Sequence, residues 1–564
     1  MSNTSQEQQL QTRIKELEAE ISSLKKRKKY GLVWEDKPED VVAQCETHVP
    51  VLSEVKGKKI SDKNQPSENI IIEGDNYHAL SVLSYTHRNA IDVIYIDPPY
   101  NTGARDWKYN NDYVDSEDSY RHSKWISFMK KRLSLARNLL SDNGFVACAI
   151  DHYELFTLGS LMDEVFGENN RIGVVTVVHK PEGRQFANFL SPSNEFMLLY
   201  AKNKSQASFR DVVLDEEKAK EFNLVDEHGN YKLKNFIRLT DGKYSLRENK
   251  PAGFYPIYVS KDLQEFSLKE RPGFLKALPI TERGVERVWK TFGETFMKKV
   301  KDNSIIAKQE DGRIVLYEKL RPSQVFVTHW TKKEYHGYHF GTKILENILG
   351  PKKFDFPKSL FLIKDVLSLT ARKNATILDF FAGSGTTGHA VLELNKEDGG
   401  NRQFILCTNN ENKIAEEVTY PRVKKVIQGY GDTEGLGGAL RYYKTKLVDI
   451  EKLQKIPDER RLKLTYQAGE MIALRENTLD ETEKNEWWQI FENNNKTVAI
   501  YFQEDKQKLR DLVKKIDSNE QVVLYVFSWG KNEYKNEFAE YQNIRVEDIP
   551  EPIIEVYKEI NRLK

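Results

Sequence analysis

An aspartate, two prolines and a tyrosine at positions 97–100 form the segment of this chain with the clearest chemical capacity. Asp97-Pro98-Pro99-Tyr100 follows directly after the apolar run 91–96. Proline has no backbone N–H to give to a sheet and fixes its own φ, so the two prolines end the predicted strand in a rigid corner. The aspartate oxygen and a proline carbonyl can accept both hydrogens of a planar exocyclic amine, while the tyrosine ring stacks on the attached heterocycle. The alternative is an ordinary strand-ending turn with an incidental carboxylate.

A second segment has the order of strand, glycine turn and helix that is typical of nucleotide sites. Residues 375–381 predict a buried strand, the turn contains Gly383, Gly385 and Gly388, and a helical pattern of apolar residues follows. A turn of this kind brings backbone N–H groups and a helix N-terminus against a ligand with no Cβ in the way. The segment therefore predicts a pocket for a nucleotide-type ligand.

Three ligands could occupy this turn, and nearby residues separate them. The glycine spacing satisfies the dinucleotide fingerprint and Glu411 follows the next predicted strand, so a nicotinamide-dependent oxidoreductase is allowed. The outer glycines also have P-loop spacing, but His389-Ala390 stands where Lys-Ser/Thr is required, which argues against ATP hydrolysis. S-adenosylmethionine needs a glycine-rich bend without a phosphate clamp. It alone explains a nearby Asp-Pro-Pro-Tyr corner.

In this order, the segments resemble the β group of amino-methyltransferases, DNA enzymes that methylate adenine N6 or cytosine N4 and carry the cofactor motif after the catalytic one. The resemblance extends to the modification (Mod) subunits of type III restriction-modification systems and covers roughly residues 1–430. The segments that carry it are EGDNYHAL at 73–80, DPPYNTG at 97–103, SYRHSKW at 119–125 and FAGSGT at 381–386.

The resemblance implies a site-specific, S-adenosylmethionine-dependent DNA methyltransferase with a Rossmann-like, doubly wound α/β sheet and a circularly permuted motif order. Asp rather than Ser leads the Pro-Pro-Tyr, which in this family favours adenine N6. Cytosine N4 remains an alternative, as does a role chiefly in DNA recognition or assembly within a restriction complex. The implied partners are double-stranded DNA, a second copy of the chain, and a helicase-nuclease (Res) subunit.

The resemblance also implies the site residues. The catalytic residues are Asp97, Pro98, Pro99 and Tyr100. Asp75 is placed near the adenosine, although a helix N-cap explains it equally well. Lys358-Ser359 is similar to the segment that touches the methionine carboxylate, with a plain helix N-terminus as the alternative for Ser359. The full cofactor-binding set is Asp75, Lys358, Ser359, Asp379, Phe381, Ala382, Gly383, Gly385, Thr386 and Glu411.

The elements that would position these residues form an α/β series. Such a series predicts a doubly wound sheet with its ligand at the carboxyl ends of the strands. Strands are predicted at 70–72, 91–96, 144–150, 173–178, 196–200, 375–381 and 402–407, and a helix at 126–140 with residues 141–144 as its stop.

Five segments are predicted along the chain. Residues 1–60 form an N-terminal helix and arm with a short heptad seam at 10–24 and a basic end, laid on the protein itself or facing a partner or DNA. Residues 61–200 form the catalytic half and 331–430 the cofactor half of the methyltransferase domain. Residues 201–330, rich in basic and aromatic residues, stand where the family inserts its target-recognition domain. Residues 431–564 form an α+β interaction or DNA-binding module, with strands at 497–502 and 521–527 around a helix at 506–516.

Composition fits this class without selecting it. The 564 residues are 39% apolar and 30% charged, and neither an apolar run of membrane-spanning length nor a signal segment is found, so we expect a cytoplasmic protein. Cys45, Cys148 and Cys407 form no paired motif, so disulfides and zinc are unsupported, and the chemistry requires no metal. A net charge of +1 does not exclude DNA binding, because basic residues can gather on one face.

Overall fold

The computed structural model describes residues 36–62, 68–110, 112–183, 189–214, 216–240, 242–322, 326–493, 495–529, 534, 537–538 and 540–562. The heptad seam predicted at 10–24 and its basic end lie outside these residues. Within the described ranges, no helix combines the length and the apolar character needed to cross a membrane. The chain divides into two compact units: one holds the residues up to Ser208, 328–364 and the residues from Lys373 onward, and the other holds Phe209–Val327 and Asp365–Arg372.

The strands and helices are numbered here in chain order. The strands are β1 (His48–Glu54), β2 (Glu68–Glu73), β3 (Ile91–Ile96), β4 (Ala104–Tyr109), β5 (Asp112–Asp115), β6 (Leu140–Ile150), β7 (Arg171–Val178), β8 (Asn194–Ala201), β9 (Leu224–Asp226), β10 (Gly229–Asn235), β11 (Ile257–Val259), β12 (Phe266–Ser267), β13 (Leu275–Ala277), β14 (Ile305–Glu310), β15 (Arg313–Leu320), β16 (His329–Trp330), β17 (Thr376–Asp379), β18 (Gln403–Thr408), β19 (Gly429–Tyr430), β20 (Thr433–Glu434), β21 (Ala439–Asp449), β22 (Asp480–Lys484), β23 (Trp488–Glu492), β24 (Thr497–Tyr501), β25 (Val522–Phe527) and β26 (Ile544–Ile549). The helices are α1 (Asp40–Gln44), α2 (Asn76–Thr86), α3 (Arg121–Leu139), α4 (Leu155–Phe166), α5 (Glu216–Lys220), α6 (Gly293–Lys301), α7 (Lys343–Leu349), α8 (Leu360–Thr370), α9 (Thr386–Asp398), α10 (Tyr420–Gln428), α11 (Asp458–Gln467), α12 (Gly469–Arg475), α13 (Lys506–Ile516) and α14 (Glu551–Ile560).

The first unit is built on one large mixed sheet with the strand order β1-β21-β2-β18-β17-β3-β6-β8-β7-β16. The central strands from β21 to β6 run parallel, and β8 is antiparallel to both β6 and β7. Both faces of a parallel sheet are covered, which is why β3 and β18 are nearly continuous apolar runs. This is the predicted α/β sheet. Its motif order is permuted because β17 and β18 insert between β2 and β3.

The predicted strands of the catalytic half are present, and two boundaries differ from the sequence analysis. Helix α3 begins at Arg121 rather than 126 and ends at Leu139, one residue before its predicted end, but residues 141–144 do not form a separate turn after it. They belong to β6 and form an irregularity, where Leu140 pairs with Ile91 and the register shifts before Phe145 pairs with Val93. The strand predicted at 375–381 ends at Asp379, because residues 380–385 already form the turn.

The end of the chain forms a second sheet of the first unit, with the order β22-β23-β24-β25-β26. Strands β24, β25 and β26 are parallel, and α13 follows β24 over the residues predicted for it. Its apolar face buries Leu509, Leu512 and Val513. Helix α14 closes the chain, where the buried Tyr557 donates a hydrogen bond to the Pro50 carbonyl at 2.6 Å.

The second unit has its own sheets and its own core. One antiparallel sheet has the order β14-β15-β10-β9, and a smaller one has the order β12-β11-β13. Phe236, Trp289 and Phe296 form the aromatic centre of the core, with ring centroids 5.6–5.7 Å apart around Phe236. This unit occupies most of the segment predicted at 201–330, and its role in target recognition stays a prediction.

Candidate active site

The Asp-Pro-Pro-Tyr corner and the glycine turn lie on adjacent strands of one sheet. Asp97 follows the last residue of β3, and the turn follows the last residue of β17, which pairs with β3 in parallel. Parallel neighbours end at the same edge, so the two segments meet there. The start of α2 joins them, because Asn76 Nδ2 donates a hydrogen bond to the Phe380 carbonyl at 3.2 Å. Asp97 and Gly383 are 286 residues apart in the sequence, and the strand order of the sheet brings them together.

The corner presents an open carboxylate oxygen. Asp97 Oδ1 is buried and has no hydrogen-bond partner among the described residues. The nearest cation is the Lys358 ammonium, 3.4 Å from that oxygen. Burial raises the pKa of Asp97, and the Lys358 charge opposes that rise. A buried acceptor without a donor is costly unless a ligand supplies one.

The two proline carbonyls differ in their partners. The Pro99 oxygen accepts a hydrogen bond from Trp125 Nε1 at 2.7 Å, which anchors the corner to α3. Among the described residues, no hydrogen bond reaches the Pro98 oxygen. The sequence analysis assigned the second amine hydrogen to a proline carbonyl, and the structure leaves Pro98 rather than Pro99 for that purpose.

Three side chains gather around the Lys358 ammonium at the corner. Lys358 Nζ lies 2.5 Å from Glu195 Oε2 and also donates a hydrogen bond to the Tyr100 hydroxyl. The Tyr100 hydroxyl in turn donates to Glu195 Oε2 at 3.2 Å. Burial would raise the pKa of Glu195, but the charges of Lys358 and His179 and the hydrogen bonds from Lys358 and Tyr100 together hold that pKa below its usual value. Glu195 is one of the site residues that the sequence analysis missed. The one sequence feature that could have indicated it is a carboxylate near the start of a predicted apolar strand.

A buried network fixes the residue after the corner. Asn101 has a left-handed φ of 56° and is fully buried. It donates a hydrogen bond to Glu154 Oε1 at 2.5 Å and accepts one from Trp107 Nε1 at 3.0 Å. His122 Nδ1 also lies 2.5 Å from Glu154 Oε1. These contacts hold the backbone of the corner in one conformation.

The glycine turn needs glycine at two positions. Gly383 and Gly385 have φ values of 47° and 76°, in the left-handed region. A Cβ at Gly385 would lie 3.3 Å from Thr419 Cγ2, and the Thr419 hydroxyl donates a hydrogen bond to the Gly383 carbonyl at 2.6 Å. Helix α10, which begins at Tyr420, therefore packs directly behind the turn.

Asp379 stabilises the turn from inside. Its two oxygens accept hydrogen bonds from the Phe381 N–H at 3.0 Å and from the Thr387 hydroxyl at 2.5 Å. Burial raises the pKa of Asp379 to about 7 despite these hydrogen bonds. The Ala382 N–H donates to the Cys407 carbonyl of β18 at 3.1 Å, so the turn is tied to the neighbouring strand.

A buried arginine supports the far side of the turn. Arg422 of α10 donates hydrogen bonds to Ser384 Oγ at 3.0 Å and to Thr386 Oγ1 at 2.7 Å. Burial lowers the pKa of this guanidinium to about 9. His389, which stands at the P-loop lysine position, is buried against Arg422 and Glu393. The sequence analysis did not single out Arg422, because a lone arginine in an amphipathic helix gives no signal.

The remaining predicted cofactor residues differ in their surroundings. Asp75 is the N-cap of α2, since its carboxylate accepts the Tyr77 N–H at 2.7 Å, and it lies 3.4 Å from Arg132. Ser359 caps α8 by accepting the Leu362 N–H at 3.3 Å. The cap interpretations are therefore confirmed, and cofactor contact by either residue stays a prediction.

Glu411 is half-exposed and lies 3.5 Å from Lys108. Phe381 packs near Phe128, with ring centroids 5.9 Å apart.

The sequence matches the family described as DNA methylase over residues 91–419, which is more than half of the chain and includes both the corner and the glycine turn. The chain belongs to the DNA methylase family. The type III restriction-modification enzyme EcoPI Mod subunit of Escherichia phage P1 is 30% identical to this methylase over 468 residues, which cover 74% of this chain and 70% of that protein. The type II methyltransferase M.KpnI of Klebsiella pneumoniae is 33% identical over 367 residues, covering 64% and 85%. The crystal structure of the M1.HpyAVI–SAM complex is 14% identical and covers 63% of this chain and 97% of that one, with a TM-score of 0.27.

The cofactor of this DNA methylase is S-adenosylmethionine, which supplies the methyl group. The residues present fit it. Gly383 and Gly385, with left-handed φ values, let the backbone approach a cofactor closely because they carry no side chain. The buried Asp97 oxygen, which follows the adjacent strand, has no hydrogen-bond donor among the described residues. The nicotinamide alternative left open by the glycine spacing has no use for that corner.

Proposed function

We propose that this DNA methylase transfers the methyl group to adenine N6 in duplex DNA, as the modification subunit of a type III restriction-modification system. The observation that carries the proposal is the open Asp97 oxygen beside Tyr100, on the strand next to the glycine turn. The EcoPI Mod subunit supports the subunit assignment, since its match covers 74% of this chain, against 64% for the M.KpnI match.

The corner would hold the target amine through two acceptors and one ring. Asp97 Oδ1 and the Pro98 carbonyl accept the two hydrogens of N6, and Tyr100 stacks on the purine. An amine paired inside duplex DNA is out of reach, so the target nucleotide must swing out of the helix. Hydrogen bonding at both hydrogens favours a more tetrahedral nitrogen, whose lone pair then points at the methyl group.

Transfer requires no covalent enzyme intermediate in this proposal. The N6–CH3 bond forms as the S–CH3 bond breaks, and the sulfur keeps the electron pair of the broken bond. N6 then loses one proton to regain a neutral amine. Much of the rate comes from holding two reactants in line, a positioning effect worth about 7–11 kcal/mol at its upper range.

The cofactor would lie along the edge formed by β2, β17 and β18. We assign its adenosine to Asp75, its ribose to Glu411 and its methionine end to the Lys358-Ser359 segment. The strand-end residue and five residues of the turn complete this set: Asp379, and Phe381, Ala382, Gly383, Gly385 and Thr386. These assignments rest on the family pattern and on the position of each residue at one edge of the sheet.

DNA is the substrate of this methylase, and two further partners are proposed. A second copy of the chain would let one protomer read DNA while the other reacts. A helicase-nuclease subunit would supply cleavage. Co-purification with such a subunit, and a molar mass of twice 65.6 kDa by light scattering, would support these two partners.

The proposal is tested by incubating the protein with duplex DNA and methyl-labelled S-adenosylmethionine, followed by nucleoside analysis. We expect label in N6-methyladenine. Label only in N4-methylcytosine would overturn the choice of base. Asp97→Ala should abolish transfer and retain cofactor affinity, because Asp97 is assigned to the target amine and to no part of the cofactor. Asp142→Ala, which removes an exposed carboxylate 3.4 Å from Lys202, is the matched control and should keep full activity.

A further inference from the structure

Glu195 lies where it can control how Lys358 and Asp97 interact. The carboxylate is 6% exposed and sits in β8, two strands from the catalytic strand β3. Its oxygen is 2.5 Å from the Lys358 ammonium, whereas Asp97 Oδ1 is 3.4 Å from the same nitrogen. The cation is thus drawn toward Glu195 and away from a close ion pair with Asp97.

We propose that Glu195 is a positioning residue for methyl transfer, which acts through Lys358 and keeps Asp97 Oδ1 open to accept a hydrogen bond from the target amine. This inference rests on the proposed function of the corner. Without Glu195, the buried ammonium would have Asp97 as its remaining anionic partner and would close on it. A closed Lys358–Asp97 pair would occupy the oxygen that the amine needs.

The same arrangement suits the movement of charge during transfer. Two carboxylates and one ammonium give the corner a net negative charge when all three are ionised. Positive charge leaves the sulfur and develops on N6 as the new bond forms. A fixed negative charge beside N6 stabilises that transition state more than the ground state, which is the condition for faster turnover.

Tyr100 links the Glu195–Lys358 pair to the stacking of the target base. Its hydroxyl donates to Glu195 Oε2 at 3.2 Å and accepts from Lys358, so the ring is held upright at the corner. The Lys358 ammonium also lies 4.7 Å from the centroid of that ring. Loss of Glu195 would therefore release the hydroxyl of the ring that stacks on the base.

Other titratable groups face the cluster. Burial raises the pKa values of Tyr95, Tyr100 and Cys148 well above their usual range, so these groups stay neutral through an ordinary assay range. The His179 charge acts on Glu195 and lowers the pKa of that carboxylate. Glu195→Asp keeps a carboxylate at this position, so it is the comparison variant for the pH profile.

The test compares Glu195→Gln, Glu195→Asp and Lys358→Met with the wild type, using steady-state methylation of duplex DNA from pH 5 to pH 9. We expect Glu195→Gln to lower kcat by about 30-fold, with KM for DNA and for S-adenosylmethionine within about twofold of wild type. Glu195→Asp, which retains the carboxylate, should recover part of the loss. Glu164→Gln is the matched control, because Glu164 forms an exposed pair with Lys130 at 2.8 Å, and it should match the wild type.

The acidic limb of the pH profile separates a positioning role from a structural one. The Glu195 charge raises the pKa of Asp97 and the Lys358 charge lowers it. Transfer needs the unprotonated Asp97, so the limb should move to lower pH in Glu195→Gln and to higher pH in Lys358→Met. Limbs that move in the same direction, or a Glu195→Gln variant with wild-type kcat, would overturn the inference. A wild-type protein that methylates no DNA would instead overturn the proposed function.

Discussion

Asp379 shows how one buried side chain links the glycine turn to pH. Its oxygens hold the Phe381 N–H and the Thr387 hydroxyl, and burial raises its pKa to about 7. In the unfolded chain the same carboxyl has a pKa near 4. Between these two values the folded state binds the extra proton, so stability is lost as the pH rises from about 4 to about 7.

Asp379→Asn should remove that part of the pH dependence. The free energy of unfolding of the wild type should fall relative to the variant by about 4 kcal/mol between pH 4 and pH 7. Urea unfolding at several pH values measures it, with the exposed Asp142→Asn as control. Parallel curves for the wild type and Asp379→Asn would contradict the burial of a protonated carboxyl.

The sequence predicted individual residues of the site only where they belong to a recognisable motif. Asp97 and the glycines are motif residues, whereas Glu195 acts through contacts made by chain segments far apart. Glu195 Oε2 meets Tyr100 and Lys358, which are 95 and 163 residues away. No local pattern encodes such a meeting, because it depends on how β8 is placed in the sheet.

At the scale of elements, the periodicity of apolar residues and the positions of proline and glycine predicted most of the methyltransferase sheet. The run 91–96 forms β3 as predicted, since a buried parallel strand must be continuously apolar. Helix α3 begins five residues before the apolar pattern starts, because its first turn carries polar residues such as His122 and Lys124. The strand before the glycine turn is shorter than predicted. Phe380 and Phe381 look like strand residues but pack inside the turn.

The glycine turn makes a prediction at this scale. Gly385→Ala should lower stability by about 1–2 kcal/mol and weaken S-adenosylmethionine binding, because φ is 76° and the new Cβ would press on Thr419. Gly399→Ala is the matched control: it has a φ of 64° at the end of α9, with open space around a Cβ. It should lose about 1 kcal/mol of stability and keep its affinity. Calorimetric titration and thermal unfolding measure both, and unchanged cofactor binding by Gly385→Ala would separate the turn from the cofactor.

At the scale of the whole molecule, the second compact unit is the candidate for reading DNA sequence. It contains more basic than acidic residues and carries exposed aromatic side chains, among them Tyr244 with 61% of its surface exposed. Arg247, three residues on, lies over the Phe254 ring at 4.2 Å and is paired with Glu286. The place of this unit along the chain could be predicted, because the family inserts its target-recognition domain there. Its sheets could not be predicted, because its strands are short and show little alternation of apolar and polar residues.

Tyr244→Ala should lower kcat/KM for DNA about tenfold, since loss of one base-stacking ring costs about 1–3 kcal/mol. The affinity for S-adenosylmethionine should not change. Val225→Ala removes another exposed apolar side chain of the same unit and serves as the control. Steady-state methylation at limiting DNA measures the effect. Equal kcat/KM values for both variants would place recognition elsewhere.

The central claim is that the Asp97 corner and the glycine turn enclose one methyl-transfer site. A crystal structure with sinefungin, in which an amine replaces the sulfonium methyl, tests it directly. We expect the adenosine against Gly383 and Gly385, and the sinefungin amine within about 6 Å of Asp97, since one nitrogen must fit between them at near-attack distance. Sinefungin bound at the glycine turn with its amine facing away from Asp97 and Tyr100 would contradict the account.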